Sequence, residues 1–293
     1  MTLTAAREQV VLLRLASSRS LNTSQIERFL LSGSALTAES RRVVTKQIMG
    51  SLRRRALVAA SAHLVGGPGG GSGQLVYHLT DAGRRAARGL DPTLHLDRAG
   101  GRSNLFVEHS LITAEVALAF LEAARSQPGH DLTEWAADWQ IADRLGRSRV
   151  VPDALLTYST RNWEFDAFLE VDLGSERPSR FSEKIAAYLD LYRRGEWRRR
   201  LRAWPLVLTV TLDGPRATVL KRTTEDAIRR QRDAARLSRL EFDFAELSSL
   251  RGPQGPLGSI WQVAGREGLQ RLIPGDIAEA PSDGLAGAHG VAG

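Results

Sequence analysis

The sequence predicts an α+β protein in two parts: a small N-terminal head of helices and a β-ribbon, then a larger α/β body on a mixed central sheet. Three observations predict it. Residues 1–90 hold 13 Arg and Lys against 4 Asp and Glu, whereas the remaining residues hold 27 against 29, so the net charge of +7 resides in the head. Apolar residues recur at helical spacing in the head. Beyond it, strand-type alternation and an apolar run are interleaved with helical stretches. At 293 residues and 42% hydrophobic content the chain supplies two cores. The expected partition is a head over 1–90, a linker over 91–104, a body over 105–273 and a disordered tail over 274–293.

In the head, Val10, Val11, Leu13 and Leu15 give Thr4 to Ala16 an amphipathic helical pattern. Asn22 or Thr23 then caps a short helix containing Ile26, Phe29 and Leu30. A third helix runs from Ala38 to Arg55, with Val44, Ile48 and Leu52 toward the core and Arg41, Arg42, Thr45 and Lys46 on its other faces. Strands over Leu57–Val65 and Gln74–Leu79 flank the run GGPGGGSG, which suits a mobile hairpin tip, and Thr80 caps the basic helix DAGRRAARG. Three helices followed by a two-stranded ribbon is the order of a winged helix-turn-helix domain. Such a head presents Arg41, Arg42, Thr45 and Lys46 to the major groove of double-stranded DNA. Arg53, Arg54 and Arg55 at the helix end are read as phosphate contacts or as charges on the helix dipole. The same fold also serves as a protein-binding scaffold.

The body opens with a helix over Leu105–Ala124 that carries His109, a core-packing or hydrogen-bonding residue rather than a base, because no partner spacing nominates it. Trp135–Ile141 is expected to be the first strand. Val150, Val151 and Pro152 lead through Asp153 into a strand at Ala154–Leu156. From Trp163 to Asp172 the alternation is unbroken, one face apolar and the other carrying Glu164, Asp166, Phe168, Glu170 and Asp172. Ser179–Tyr192 follows as a helix capped by Ser179 or Ser182. Trp204–Leu212 reads as a buried central strand, Thr223–Leu240 as an arginine-rich helix capped by Thr223 or Thr224, and Phe242–Leu247 as a last edge strand.

Pairing of the first two acidic strands as a hairpin would bring Asp153 near Glu170, with Glu183 and Lys184 on the next helix. This PD...E-x-D...EK arrangement gathers Asp153, Glu170 and Asp172 as candidate ligands for magnesium or manganese. Hard oxygen donors suit such ions, which polarise a phosphoryl oxygen and activate water. Asp153, Glu170 and Lys184 are the candidate catalytic residues, the ammonium stabilising developing negative charge. Glu176 reads as a salt-bridge partner near the helix.

The strand and helix order resembles the core of the restriction-endonuclease-like PD-(D/E)xK superfamily. PDALL, FLEVDLGSE and EKIAAYLDLY, following a helix with His109, resemble the replication-relaxation family of mobile-element proteins, from about Gln9 to about Trp261. The resemblance implies a winged-helix head, a nuclease-like body and a role in plasmid replication or transfer beside relaxase or replication proteins. Where the superfamily has lysine two residues after the glutamate, this chain has Asp172, which leaves either Lys184 as the replacement or an inactive site.

The absence of cysteine excludes disulfides and thiolate metal sites. No signal-like stretch and no run approaching a membrane span is read, so the expectation is a cytoplasmic protein without a membrane partner. A homodimer stays open, since no heptad seam announces one. RRGEWRRRLR at 193–202 reads as a phosphate-backbone holder or a solvated helix end. The competing class is a non-enzymatic regulator whose body only dimerises or binds a partner; no Walker A, G-x-S-x-G or dinucleotide fingerprint supports small-molecule chemistry.

Overall fold

The computed structural model describes residues 3–64, 73–94, 103–145 and 148–273. The expected hairpin tip at the glycine run, most of the expected linker and the expected tail lie outside them. The chain is α+β. Its first part runs α1 (Leu3–Ser18), β1 (Leu21–Asn22), α2 (Thr23–Leu31), α3 (Ala38–Arg54), β2 (Val58–Leu64), β3 (Gly73–Leu79) and α4 (Asp81–Leu90), with an antiparallel sheet in the order β1-β3-β2. Local chemistry fixes the helix starts. Asn22 and Gln25 close a reciprocal capping box on α2, and the hydroxyls of Thr37 and Thr80 accept from the backbone of Ser40 and Gly83.

The second part runs α5 (Asn104–Ser126), β4 (Asp131–Ala137), α6 (Asp138–Leu145), β5 (Ala154–Ser159), β6 (Glu164–Asp172), α7 (Pro178–Arg194), a 3-10 turn (Glu196–Arg199), β7 (Leu206–Thr211), α8 (Gly214–Arg229), α9 (Ala234–Leu237), β8 (Phe242–Glu246), α10 (Leu247–Leu250), β9 (Trp261–Val263) and β10 (Leu269–Gln270). The seven strands form one mixed sheet in the order β10-β9-β8-β7-β6-β5-β4, parallel at β6-β7-β8 and antiparallel elsewhere. β7 takes the expected central place.

Several expectations need correction. The strand expected at Trp135–Ile141 begins earlier, at Asp131, and gives way to α6 at Asp138. The helix expected from Thr223 begins at Gly214, capped by Asp213 with proline in its first turn. Thr223 and Thr224 lie inside it and bond back to Val219 and Leu220 carbonyls at 2.8 and 3.0 Å. α7 starts at Pro178 without a side-chain cap, so neither Ser179 nor Ser182 performs that role. β8 is not an edge, because β9 and β10 extend the sheet beyond it.

β6 is buried on both faces. Ala167, Leu169 and Val171 pack in one cluster with Val116, Ala119 and Phe120 of α5, while Phe168 joins Phe181, Ile185 and Tyr188 of α7 on the other. The acidic face therefore lies under helices over its second half, where Glu170 and Asp172 are only 2% and 5% exposed, while Glu164 at its start is exposed. α5 also passes, by length and composition, for a membrane-spanning helix, contrary to the sequence reading. Its apolar surface is spent inside the protein: Ala114, Ala117 and Leu118 belong to the core of the first part, and Val116, Ala119 and Phe120 to that of the sheet.

Candidate functional site

Asp153 stands at the entry to β5, where its N–H donates to the Leu169 carbonyl at 2.9 Å. Its Oδ2 accepts from the Val171 N–H at 2.8 Å and lies 3.1 Å from Nε2 of His109 on α5. The β5-β6 hairpin, in which Ala154 pairs with Leu169, thus sets the carboxylate beside the strand that carries Glu170. Burial opposes charge on His109, but its hydrogen bond to Asp153 and the nearby carboxylates prevail and raise its pKa.

Glu170 points from β6 toward α7. Its Oε1 accepts from the Tyr188 hydroxyl at 2.5 Å and its Oε2 from Lys184 Nζ at 2.9 Å. Lys184 and Tyr188 are one helical turn apart and so share a face. Burial foremost, then the charge of Asp153, pushes Glu170 up to about 7, against the opposing pull of Lys184 and Tyr188. The pKa of Lys184 is raised as well: desolvation disfavours its charge, but Glu170, Asp153 and Glu176 outweigh it and hold the ammonium firmly protonated. Glu176 lies 3.7 Å from Lys184, the salt-bridge role expected for it.

The structure therefore brings Asp153, Glu170 and Lys184 together. Asp172 does not join them. Both its oxygens accept from Arg216 of α8 at 2.8 Å, a bidentate buried pair, and its Oδ1 also accepts from the N–H of Gly174. Arg216 also donates to the Glu176 carbonyl, so Asp172 is engaged by α8, whereas Glu170 is engaged by α7. Among the described residues no group of three His, Cys, Asp or Glu is arranged for a metal ion. A magnesium ion is often held by one or two carboxylates, water and substrate phosphates filling the rest. Asp153 and Glu170 fit that sparse mode; in the present hydrogen bonding, an ion competes with Lys184 and Tyr188 for Glu170.

Two openings reach this centre. A cleft of about 790 Å³ runs along α7, its lining including Arg149, Val151, Glu176, Arg180, Lys184 and Arg194. A smaller cavity of about 50 Å³ on the other side takes in His109 and Asp153 together with Ser18, Arg19 and Asp138, so it lies where α1 meets the body.

On α3, Arg42 and Lys46 are exposed, as are Arg53 and Arg54 beyond them. Arg41 is half-buried, donating to the Leu36 carbonyl at 2.9 Å and lying 3.6 Å from Glu27; Arg55 pairs with Glu8 at 2.7 Å. Thr45 is fully buried with its hydroxyl unbonded, and so is removed from the candidate contact surface. Its place among Ile48, Met49 and Leu52 puts it on the core stripe that the spacing of Val44 had suggested for a neighbour.

Residues 12–207 match the family model described as replication-relaxation. The chain belongs to the replication-relaxation family. The matched span starts in α1 and ends in β7, so it takes in His109, Asp153, Glu170, Lys184 and Tyr188 and leaves out Arg216, where the resemblance in sequence had been drawn as far as Trp261. Membership in the replication-relaxation family suggests a role in the replication or relaxation of mobile elements. A comparison of the sequence with curated proteins finds no match.

Tyr188 and Arg216 went unrecognised in the sequence. Tyr188 recurs at helical spacing with Phe181, Ile185 and Leu189, which marks it as a core residue, and its position one turn beyond Lys184 was the available signal. Arg216 gave none, since it meets Asp172 from 44 residues away.

Proposed function

We propose that the protein binds duplex DNA of a plasmid or other mobile element through a winged-helix head. We further propose that its body is a PD-(D/E)xK nuclease-type domain acting on DNA in replication or relaxation, beside relaxase or replication proteins. The observation that carries this is the convergence of Asp153, Glu170 and Lys184, the last of them lining the cleft along α7, on a chain whose basic excess lies in residues 1–90. The winged-helix reading draws on the order of α1 to β3, the β1-β3-β2 sheet and the exposed Arg42 and Lys46.

In this reading Asp153 and Glu170 would hold a magnesium or manganese ion, whose chemistry is Lewis-acid polarisation of a phosphodiester and activation of water. The chain's own residues do the rest. His109 and the Val171 N–H fix the Asp153 carboxylate. Lys184 keeps a positive charge beside Glu170, where it stabilises negative charge developing on phosphoryl oxygens. The Tyr188 hydroxyl and Lys184 donate to the two Glu170 oxygens and so orient that carboxylate.

The test is nicking of supercoiled plasmid by purified protein with magnesium or manganese. Nicking that disappears in Glu170→Gln and falls at least a hundredfold in Lys184→Ala, with duplex affinity unchanged, supports the reading. A second reading, a non-cleaving regulator with a nuclease-derived body, is favoured by the full engagement of both Glu170 oxygens and by the Arg216 lock on Asp172. Duplex binding without nicking in either metal selects it. Duplex binding itself is read by anisotropy with Arg42→Glu and Lys46→Glu. Unchanged affinity in that double variant removes the role given to α3.

A further inference from the structure

The arginine run after α7 is built as a surface feature of its own. Gly195 ends α7 in a left-handed conformation (φ +70°) and turns the chain into the 3-10 segment. Trp197 then drops into the body, its indole N–H donating to the Tyr192 carbonyl at 3.2 Å and its ring stacked on Tyr192 at 6.0 Å, with Trp204 edge-on at 5.4 Å. Arg200 and Leu201 both donate backbone N–H groups to the Trp197 carbonyl at 2.9 Å, which braces the turn. Arg198 lays its guanidinium 4.6 Å over the Trp197 ring.

Arg198, Arg199 and Arg200 are all exposed, and none has a carboxylate partner among the described residues. Their neighbours differ: Arg193 pairs with Asp233, Arg194 with Asp190 and Arg202 with Glu164. The turn sets these three guanidiniums against the single carboxylate of Glu196, and a polyanion relieves the repulsion of the remaining positive charge. Four residues before Arg198, Arg194 lines the cleft that also takes in Lys184, and Arg149, which lines it too, has no carboxylate partner among the described residues. The acids in the cleft do not cancel this. Glu176 is met by Arg180 and Lys184, and Asp190 by Arg194, leaving Glu183 against Arg149.

We propose that Arg198–Arg200, Arg194 and Arg149 form a track for the sugar-phosphate backbone of single-stranded DNA, leading it along α7 to the Asp153, Glu170 and Lys184 centre. The cleft's 790 Å³ falls within the range of about 300–1,000 Å³ typical of small-molecule sites, room for a few nucleotides of one strand and not for a duplex. Arginine planes along a basic groove are the means by which single strands are held without sequence preference. The inference rests on the nucleic-acid reading above, but it concerns a different surface and a different ligand.

The experiment is fluorescence anisotropy of the full chain with a labelled dT12 oligonucleotide and, separately, a blunt duplex, across a salt series. R198A/R199A/R200A is expected to weaken dT12 binding at least tenfold and to flatten its log–log salt slope by about 2, since each phosphate contact to a single strand contributes about 0.7. Duplex affinity should stay within twofold, because the head carries it. R199A/R200A, which keeps the Arg198 contact with Trp197, should give an intermediate loss, and melting curves matching the native protein verify its fold. The proposal is overturned if native protein fails to bind dT12, if the triple variant binds it normally, or if duplex affinity falls as much. None of these outcomes bears on nicking or on the α3 variants, so the earlier reading stands or falls separately.

Discussion

Asp243 is the least compensated carboxyl in the core. It lies on β8 between Leu208 and Val263, 3% exposed, with Oδ2 lacking any hydrogen-bond partner. Burial, with Glu241 adding and Arg266 opposing, pushes it from 3.8 up to about 8. In that window the native state holds a proton that the unfolded chain has released, so this residue makes stability fall as pH rises toward 8. Asp243→Asn should melt most nearly like the native protein at pH 4, close to the unfolded value, and increasingly above it toward pH 8.5, by about 2–4 °C per kcal/mol recovered. Equal loss of stability in both proteins between those pH values would remove the account. The sequence could not nominate Asp243, because an edge strand offers its alternate residues to water; β9 and β10, three and two residues long after a Gly/Pro turn, carry no alternation that reveals them. Asp172 teaches a related lesson. Alternation correctly set it on the face of Glu170, but which cation meets it depends on α8. Arg216→Met should cost about 3–5 kcal/mol in denaturant unfolding, the usual result of stranding a buried charge, and pairing it with Asp172→Asn should recover most of that. A loss under about 1 kcal/mol would mean that water reaches Asp172 after all.

Helix starts were legible where a capping side chain stood before an amphipathic run. Asn22 and Thr80 are such cases, each one acceptor satisfying an otherwise orphaned N–H. The start of α8 was not, because Thr223 and Thr224 look like caps to a reader of spacing, while Asp213 with Gly214 and Pro215 looks like a turn. The docking of α4 illustrates what pattern alone omits. Thr80 Oγ1 donates to the Ala56 carbonyl at 2.6 Å and its N–H to that of Leu57 at 3.1 Å, which seats the helix on the chain leaving α3. Gly83 permits the approach: a Cβ there would fall 1.9 Å from the Leu57 carbonyl oxygen. Gly83→Ala must displace backbone, and should cost more than about 2 kcal/mol, the upper part of the range for overpacking. On the proposed reading, it also weakens duplex binding while leaving dT12 affinity intact. An unchanged melting curve would show that α4 tolerates a shift this contact forbids.

At the scale of the molecule, the sequence divides the charge between head and body but gives no sign of how firmly the two are joined. The joint is α5, and its centre is the buried Glu115. This carboxylate accepts from Gln25 Nε2 at 2.8 Å and meets Arg28 at 2.7 Å and Arg251 at 3.0 Å, so α2, α5 and the segment after α10 share one charge. Arg125 adds donations to the carbonyls of Arg28, Phe29 and Ser32 at the end of α2. These partners are about 90 residues apart in sequence, too far for any local pattern to join them. Because the same helix supplies residues to both cores, the head should not melt alone. The tryptophans allow a direct test: all six, from Trp135 to Trp261, follow residue 94, so their fluorescence reports the body while circular dichroism reports every helix. In the native protein the two signals should trace one transition, the mark of a single cooperative unit. Glu115→Ala removes the shared acceptor from Gln25, Arg28 and Arg251, although Arg28 keeps its pair with Glu122 and Arg251 is half-exposed. The expected loss is about 1–3 kcal/mol at the joint, the usual cost of a buried donor left unsatisfied, with the dichroism transition moving below that of fluorescence as the head melts first. If the two curves of the variant still coincide, at the native midpoint, then the apolar face of α5 couples the halves without help from its charge. On the proposed reading, the position of a head-bound duplex relative to the body's cleft would in that case be set by packing alone.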